Sequence, residues 1–216
     1  MTRGERNSID RRLVAARLRL ERGDHLFRVG DRFDAVYAIW TGNFKTCVSS
    51  NDGREQVTGF QMGGELIGLD GSGTRRHEVD AVALDDAQVC VIPYAELEEL
   101  ALEVNSLQQQ FHRFMSREIV LNHCVMLLLG SMNADERLAA FLLNLTQRQH
   151  ARSFSDSSIL LRMSREEIGS FLGLKIETVS RTFSKFQANG LLFVRHRQIQ
   201  IVDPVRLQAV VDGETV

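Results

Sequence analysis

Met163-Ser-Arg-Glu-Glu-Ile-Gly-Ser-Phe-Leu-Gly-Leu-Lys-Ile-Glu-Thr-Val-Ser-Arg-Thr-Phe-Ser-Lys-Phe-Gln-Ala-Asn-Gly190 decides how this chain is read. It predicts two short helices joined by a tight turn. Ser164 is a good N-cap, and Glu167 three residues later completes a capping box. Ile168, Phe171 and Leu172 recur at helical spacing and give the first helix an apolar face. Gly173 follows directly, where a chain leaving a helix often needs positive φ. The second helix is expected from Ile176 to Asn189, with Val179, Phe183 and Phe186 inward, and Gly190 ends it.

The opposite face of the second helix carries Glu177, Ser180, Arg181 and Lys185. Arg suits guanine, Glu a cytosine amine and Lys a phosphate. The base-reading types lie near the helix N-terminus, the end that a recognition helix presents to the major groove. Leu192-Phe-Val, Arg195-His-Arg and Gln198-Ile-Gln-Ile-Val then read as a hairpin with a basic tip, suited to a phosphate backbone. An ordinary amphipathic helix pair with a solvated polar face shares the helical pattern but does not account for this hairpin.

Ile168-Gly-Ser-Phe-Leu-Gly-Leu-Lys-Ile-Glu-Thr-Val-Ser-Arg181 resembles the winged helix-turn-helix of the CRP/FNR transcription regulators, and Glu-Thr-Val-Ser-Arg is nearest to the FNR branch. The resemblance extends through Asn133-Ala-Asp-Glu-Arg-Leu-Ala-Ala-Phe141, Gly59-Phe60 and Gly64-Glu-Leu-Ile-Gly68, and covers about Glu21 to Val202. It implies base reading by Glu177, Ser180 and Arg181, and a palindromic operator of the TTGAT/ATCAA kind. Thr178, Lys185, Ser164, Arg195 and Arg197 complete the set expected to touch DNA. RNA polymerase is the further partner implied.

The 216 residues, 44% hydrophobic, suffice for one good-sized core or two smaller ones. A net charge of −2 excludes a strongly basic protein. From Arg137 onward, however, eleven Lys and Arg stand against seven Asp and Glu, so the DNA-reading end is the positive end. No long apolar run follows the charged N-terminus, so no signal peptide or membrane span is expected, and a cytoplasmic location is.

Upstream, Arg11 to Leu20 reads as a helix in a polar lead-in. His25 to Pro93 is a set of short β-rich runs punctuated by glycines, which argues for an antiparallel barrel or sandwich. By resemblance this is the cyclic-nucleotide-binding β-roll. A short helix over Tyr94 to Leu102 and a long one over about Val104 to Gly130 follow. His112, Met115, Ile119, Asn122, Met126 and Leu129 fall at steps of three and four, the seam of a two-stranded coiled coil. Leu107, Phe111, Phe114 and Leu121 lie beside it and could pack on the β-domain instead. Asn133 caps a helix running to Thr146, and Arg148 to Ser158 is a polar connection. The expected organisation is α+β: a β-roll over 1–103, a dimerisation helix over 104–130 and a winged helix-turn-helix over 131–216.

The β-roll departs from its family in two ways. A cyclic-nucleotide pocket needs a Gly-Glu pair followed by Arg-Ser. Here Gly64-Glu65 is present, but the later stretch reads Arg76-His-Glu-Val-Asp80, whose Glu78 and Asp80 repel a phosphate. Arg75 and Arg76 are expected on an exposed loop. The FNR branch holds an iron–sulfur cluster with N-terminal cysteines and one in the β-roll. Cys90 matches that last position, but no Cys precedes Cys47, and four thiolates are normally required. Cys47, Cys90 and Cys124 are expected as small buried hydrophobes. The six histidines show no metal-ligand spacing, with His112 expected to pack, and no nucleophile motif or phosphate loop appears. No cofactor and no enzymatic activity are expected.

The expected function is therefore DNA binding as a homodimer, without a cluster or cAMP. The alternatives are a small-molecule- or redox-responsive regulator using the β-roll, or a nucleotide-sensing module without DNA activity. On the seam, Asn122 stands where the FNR relatives carry an aspartate. Two facing asparagines hydrogen-bond where two aspartates repel. A dimer without a signal is expected, although Glu118 flanks the seam and could weaken it.

Overall fold

The computed structural model describes residues 14–49, 53, 55–151 and 158–214. The chain divides into two compact units, Met1–Val120 and Leu121–Val216, and the division falls inside one long helix.

Among the described residues, the first unit is a β-roll of eight strands. They are β1 (Ala16–Leu20), β2 (His25–Phe27), β3 (Ala35–Thr41), β4 (Asn43–Ser49), β5 (Glu55–Met62), β6 (Leu66–Ile67), β7 (Asp80–Ala83) and β8 (Ala87–Pro93). Two antiparallel sheets result, ordered β1-β8-β3-β6 and β2-β7-β4-β5. Phe27, Phe44 and Ala81 from one sheet share a buried core with Leu20, Ile39, Ile67 and Val89 from the other. This is the inward alternation that a two-sheet core requires. At the β3–β4 turn Gly42 has φ of 93°, and a Cβ there would lie 2.5 Å from that of Ala87. The same turn is tied down by the Asp85 carboxylate, which accepts the Asn43 backbone N–H at 2.7 Å and its side-chain amide at 3.0 Å.

Ala16–Leu20 forms a strand rather than the end of a helix, because it pairs with β8 from Ala16↔Val91 to Leu20↔Ala87. Ala, Arg and Leu favour helix locally, and sheet pairing overrides that preference. The earlier part of the expected helix, through Leu13, lies outside the described residues.

A second core forms where α1 (Tyr94–Glu103) and the start of α2 (Asn105–Ser131) close over the roll. Tyr94, Leu97 and Leu100 are buried with Phe33 and Val36, and Leu107 and Phe111 pack against them. The long helix thus gives its first turns to the β-domain. Further along, Ile119 is 53% and Met126 70% exposed in the single chain. Asn122 and His112 are exposed as well, Met115 is half-buried, and Leu129 is exposed. His112, expected to pack on the seam, is exposed in the single chain together with the other seam positions Ile119, Asn122 and Met126.

The second unit holds α3 (Ala134–His150), β9 (Ser158–Leu160), α4 (Arg165–Leu172), α5 (Ile176–Ala188), β10 (Leu192–Arg195), β11 (Gln198–Ile201) and α6 (Pro204–Val211). The hairpin β10–β11 gains β9 as a third strand on β11. Helix α6, not expected, starts at the Asp203 cap, whose carboxylate accepts the Arg206 N–H at 2.9 Å, with Pro204 in its first turn. It packs on α3 and buries Leu207 and Val210.

In the β-roll, the Asp70 carboxylate faces three donors. It accepts the Glu78 N–H at 2.7 Å and the Val79 N–H at 3.3 Å, and His77 Nδ1 lies 3.1 Å away. His77 is itself buried and stacked on Phe27 at 3.7 Å between ring centroids. Burial alone would raise the Asp70 pKa, but the hydrogen bonds from His77, Glu78 and Val79 outweigh it and hold the carboxyl below its ordinary value. Its contribution to stability is full above the unfolded-chain value, near pH ~4, and is lost as pH falls through the lowered folded value. Asp70→Asn is expected to destabilise the β-roll by about 1–3 kcal/mol at neutral pH. The gap from the parent should close on acidification. Denaturation followed by the fluorescence of Trp40, the single tryptophan and a β3 residue, measures both.

Candidate nucleic-acid interface

Both ends of α4 are fixed by local chemistry. Ser164 and Glu167 form the reciprocal capping box: the Glu167 N–H donates to Ser164 Oγ at 3.1 Å, and the Ser164 N–H to Glu167 Oε2 at 2.7 Å. Gly173 closes the helix with φ of 63°. The Leu174 N–H returns to the Gly169 carbonyl at 2.9 Å. A Cβ at Gly169 would stand 2.6 Å from the Leu174 carbonyl oxygen, a backbone atom that cannot swing aside. Gly169 is thus what lets α5 start so soon after α4.

Helix α5 buries Val179, Thr182, Phe183 and Phe186. Each large apolar side chain removed from water stabilises this packing by about 1.5–3 kcal/mol. Phe171, expected on the inner face of α4, is half-buried against Phe141, with ring centroids 5.8 Å apart. The outward face presents Glu177, Ser180 and Arg181 to solvent, and Thr178 is half-exposed. Arg181 Nη2 reaches Thr178 Oγ1 at 3.4 Å. The β10–β11 turn exposes Arg195, His196 and Arg197, with His196 at φ of 55°.

Two expected DNA contacts are engaged within the protein. Lys185 Nζ lies 2.6 Å from Asp135 Oδ2. The Ser164 hydroxyl serves as the N-cap of α4. Sequence reading did not find Asp135, in the first turn of α3, as a member of this surface, where it lines a groove with Ala134, Thr178, Arg181, Thr182 and Lys185. It also missed Arg165, whose guanidinium lies 3.3 Å above the Phe183 ring and whose Nη1 is buried without a hydrogen-bond partner. Burial lowers the Arg165 pKa to about 10. A signal was available, since a cation in the first turn of a helix opposes the helix dipole.

Arg137, also unremarked, fastens three backbone segments. Its Nε donates to the Met132 carbonyl at 2.8 Å, Nη1 to Leu172 at 2.9 Å and Nη2 to Leu129 at 3.0 Å. The carbonyls belong to the C-terminal end of α2, the α2–α3 link and the C-terminal end of α4. One cation thereby satisfies acceptors at the ends of two helices.

The residues of the β-roll do not fit the two ligands its family suggests. In the stretch Arg76–Asp80, which stands in place of the Arg-Ser pair, the Glu78 and Val79 N–H groups donate to the Asp70 carboxylate. Asp80 accepts the Val29 N–H at 2.8 Å. Arg75 and Arg76 are exposed as expected, and Arg76 Nη1 donates to the Gly30 carbonyl at 2.7 Å. Cys47 and Cys90 are buried on β4 and β8, whereas Cys124 is exposed on α2, a correction to its expected burial. Burial, reinforced by Glu55, pushes the Cys47 thiol up to about 11, away from the thiolate that a metal requires. Among the described residues, no group of three or more Cys, His, Asp or Glu side chains is placed to hold a metal ion, and no helix is long and apolar enough to cross a membrane.

Comparison with known proteins agrees with this geometry. A Crp-like helix-turn-helix domain matches residues 136–210, and a cyclic nucleotide-binding domain matches residues 17–103. The chain is 48% identical to the transcriptional activator protein Anr of Pseudomonas protegens over 194 residues, which cover 90% of this chain and 80% of that one. It is 45% identical to the transcriptional regulatory protein btr of Bordetella pertussis over 203 residues, 94% of this chain and 84% of that one. The solved structure of FixK2 from Bradyrhizobium japonicum superposes with a TM-score of 0.85 at 30% identity, over 94% of this chain and 100% of that one. With a helix-turn-helix on its C-terminal unit and transcriptional regulators, not enzymes, as its relatives, this chain belongs to the CRP/FNR family of transcription regulators.

Proposed function

We propose that this regulator binds, as a homodimer, a palindrome of the TTGAT/ATCAA kind, and that it does so without a cluster or a cyclic nucleotide. The outward face of α5, where Glu177, Ser180 and Arg181 stand exposed within about one helical turn, carries this reading. Arg181 would make the guanine contact, Glu177 would accept from a cytosine amine and Ser180 would contact a neighbouring base. Thr178 steadies Arg181, and Arg195 and Arg197 on the β10–β11 turn supply phosphate contacts. RNA polymerase is the partner through which a bound dimer would act.

The apolar residues left exposed on α2 support the homodimer. Ile119 and Met126 lie on one seam with Asn122 between them, a face that water alone covers poorly. The Asp70 and Asp80 carboxylates, which hold backbone N–H groups in the β-roll, support binding without a cyclic nucleotide.

Three measurements test this reading. Arg181→Ala should lose about 1–3 kcal/mol on the palindrome and relax the preference at one base pair. Gel shifts with single-base operator variants read this, and equal losses on specific and random duplexes would remove the base-reading role. Asn122→Asp should shift the dimer toward monomer above the carboxylate range and recover in acid. Sedimentation shows it, with a monomeric parent as the contrary outcome. The anaerobically purified protein should lack the visible absorption of an iron–sulfur cluster, and stoichiometric iron with acid-labile sulfide would contradict that.

A further inference from the structure

We infer that Asp135 sets the strength of DNA binding by withholding Lys185 from the phosphate backbone. This deepens the DNA-binding reading of α5 and rests on it. The two oxygens of Asp135 are divided between two residues of α5: Oδ2 is 2.6 Å from Lys185 Nζ, and Oδ1 accepts the Thr182 hydroxyl at 3.1 Å. Lys185 lies one helical turn beyond Arg181, and both line the same groove. An ammonium at that place is within reach of whatever backbone Arg181 approaches, and here a carboxylate holds it.

Neither the fold nor the cap requires a charge at position 135. Thr182 is buried and needs an acceptor, which an amide oxygen would supply equally well. The N-terminus of α3 already has Asn133 as its cap and Glu136 as the acidic partner of a complete capping box. The Lys185–Asp135 pair is partly exposed, at 40% and 28% of the two side chains, and pairs of this kind contribute little to stability. What the carboxylate changes is the electrostatics of the groove. It neutralises one cation and adds a negative charge on a surface that must meet phosphates. Each phosphate contact adds about 0.9 to the slope of log K against log salt and acts on every sequence alike. One contact withheld from each protomer therefore weakens binding and flattens its salt dependence.

The test compares four full-length proteins: the parent, Asp135→Asn, Lys185→Met and the double variant. Asn keeps the acceptor for Thr182, and Met keeps the apolar stem of Lys185. Fluorescence anisotropy gives affinity for the palindrome and for a random duplex of equal length across a salt series. Asp135→Asn should tighten both by about eightfold at 0.1 M salt for each protomer engaged and steepen the slope by about 0.9. Lys185→Met alone leaves the Asp135 carboxylate unpaired and should weaken both duplexes, and the double variant, in which neither charge remains, should match the parent in affinity and slope. Two results overturn the inference while the parent still binds the palindrome. One is an Asp135→Asn variant whose affinity and slope equal the parent's, which would mean that no phosphate contact is withheld. The other is a gain in Asp135→Asn that survives removal of Lys185, which would make Asp135 a general repulsive charge. A parent that binds neither duplex would overturn the DNA-binding reading itself, and the inference with it.

Discussion

The short link between α4 and α5 is the constraint on which the rest of the DNA-reading unit depends. Val179, Phe183 and Phe186 can be buried only if the chain reverses within a few residues of Leu172. That reversal brings the Leu174 carbonyl into the space a side chain at position 169 would fill. Gly169 meets the steric demand, and Gly173 meets the demand for a left-handed residue. With the inner face of α5 fixed in this way, its polar face can point only outward, so Glu177, Ser180 and Arg181 owe their exposure to the core beneath them.

Charge is distributed with a similar economy. The N-termini of α3 and α4 each carry a capping box with a glutamate, and the C-terminal carbonyls of α2 and α4 meet a guanidinium. These placements follow the helix dipole. Arg165 breaks the pattern, as a cation in the first turn of α4, and its position over the Phe183 ring compensates by a cation–π contact. In the β-roll the Asp70 carboxylate takes the Glu78 and Val79 N–H groups.

What could be read from the sequence was local. Ser164 with Glu167, the apolar positions of α5 and the paired runs around His196 all lie within a few residues of their partners, and each leaves a pattern. The alternation of short strands with glycines likewise indicated an antiparallel barrel or sandwich, and only the family resemblance made it a β-roll. What could not be read was non-local. Ala16–Leu20 is a strand only because β8, about seventy residues later, pairs with it. Asp135 and Lys185 are fifty residues apart, and nothing near either one announces the other. The three residues of β9 are too few to form a period. Helix α6 is a different case: Asp203 followed by Pro204 is a start signal that was present and passed over.

Arg137 has a mechanical consequence. Its guanidinium grips carbonyls at the end of α2, in the link that follows and at the end of α4. Rotation of the last turn of α2 therefore reaches the first helix of the helix-turn-helix through a fork of three hydrogen bonds, without passing through α5. The C-terminal turn of α2 and helix α4 behave as two arms of one lever with Arg137 as the rivet.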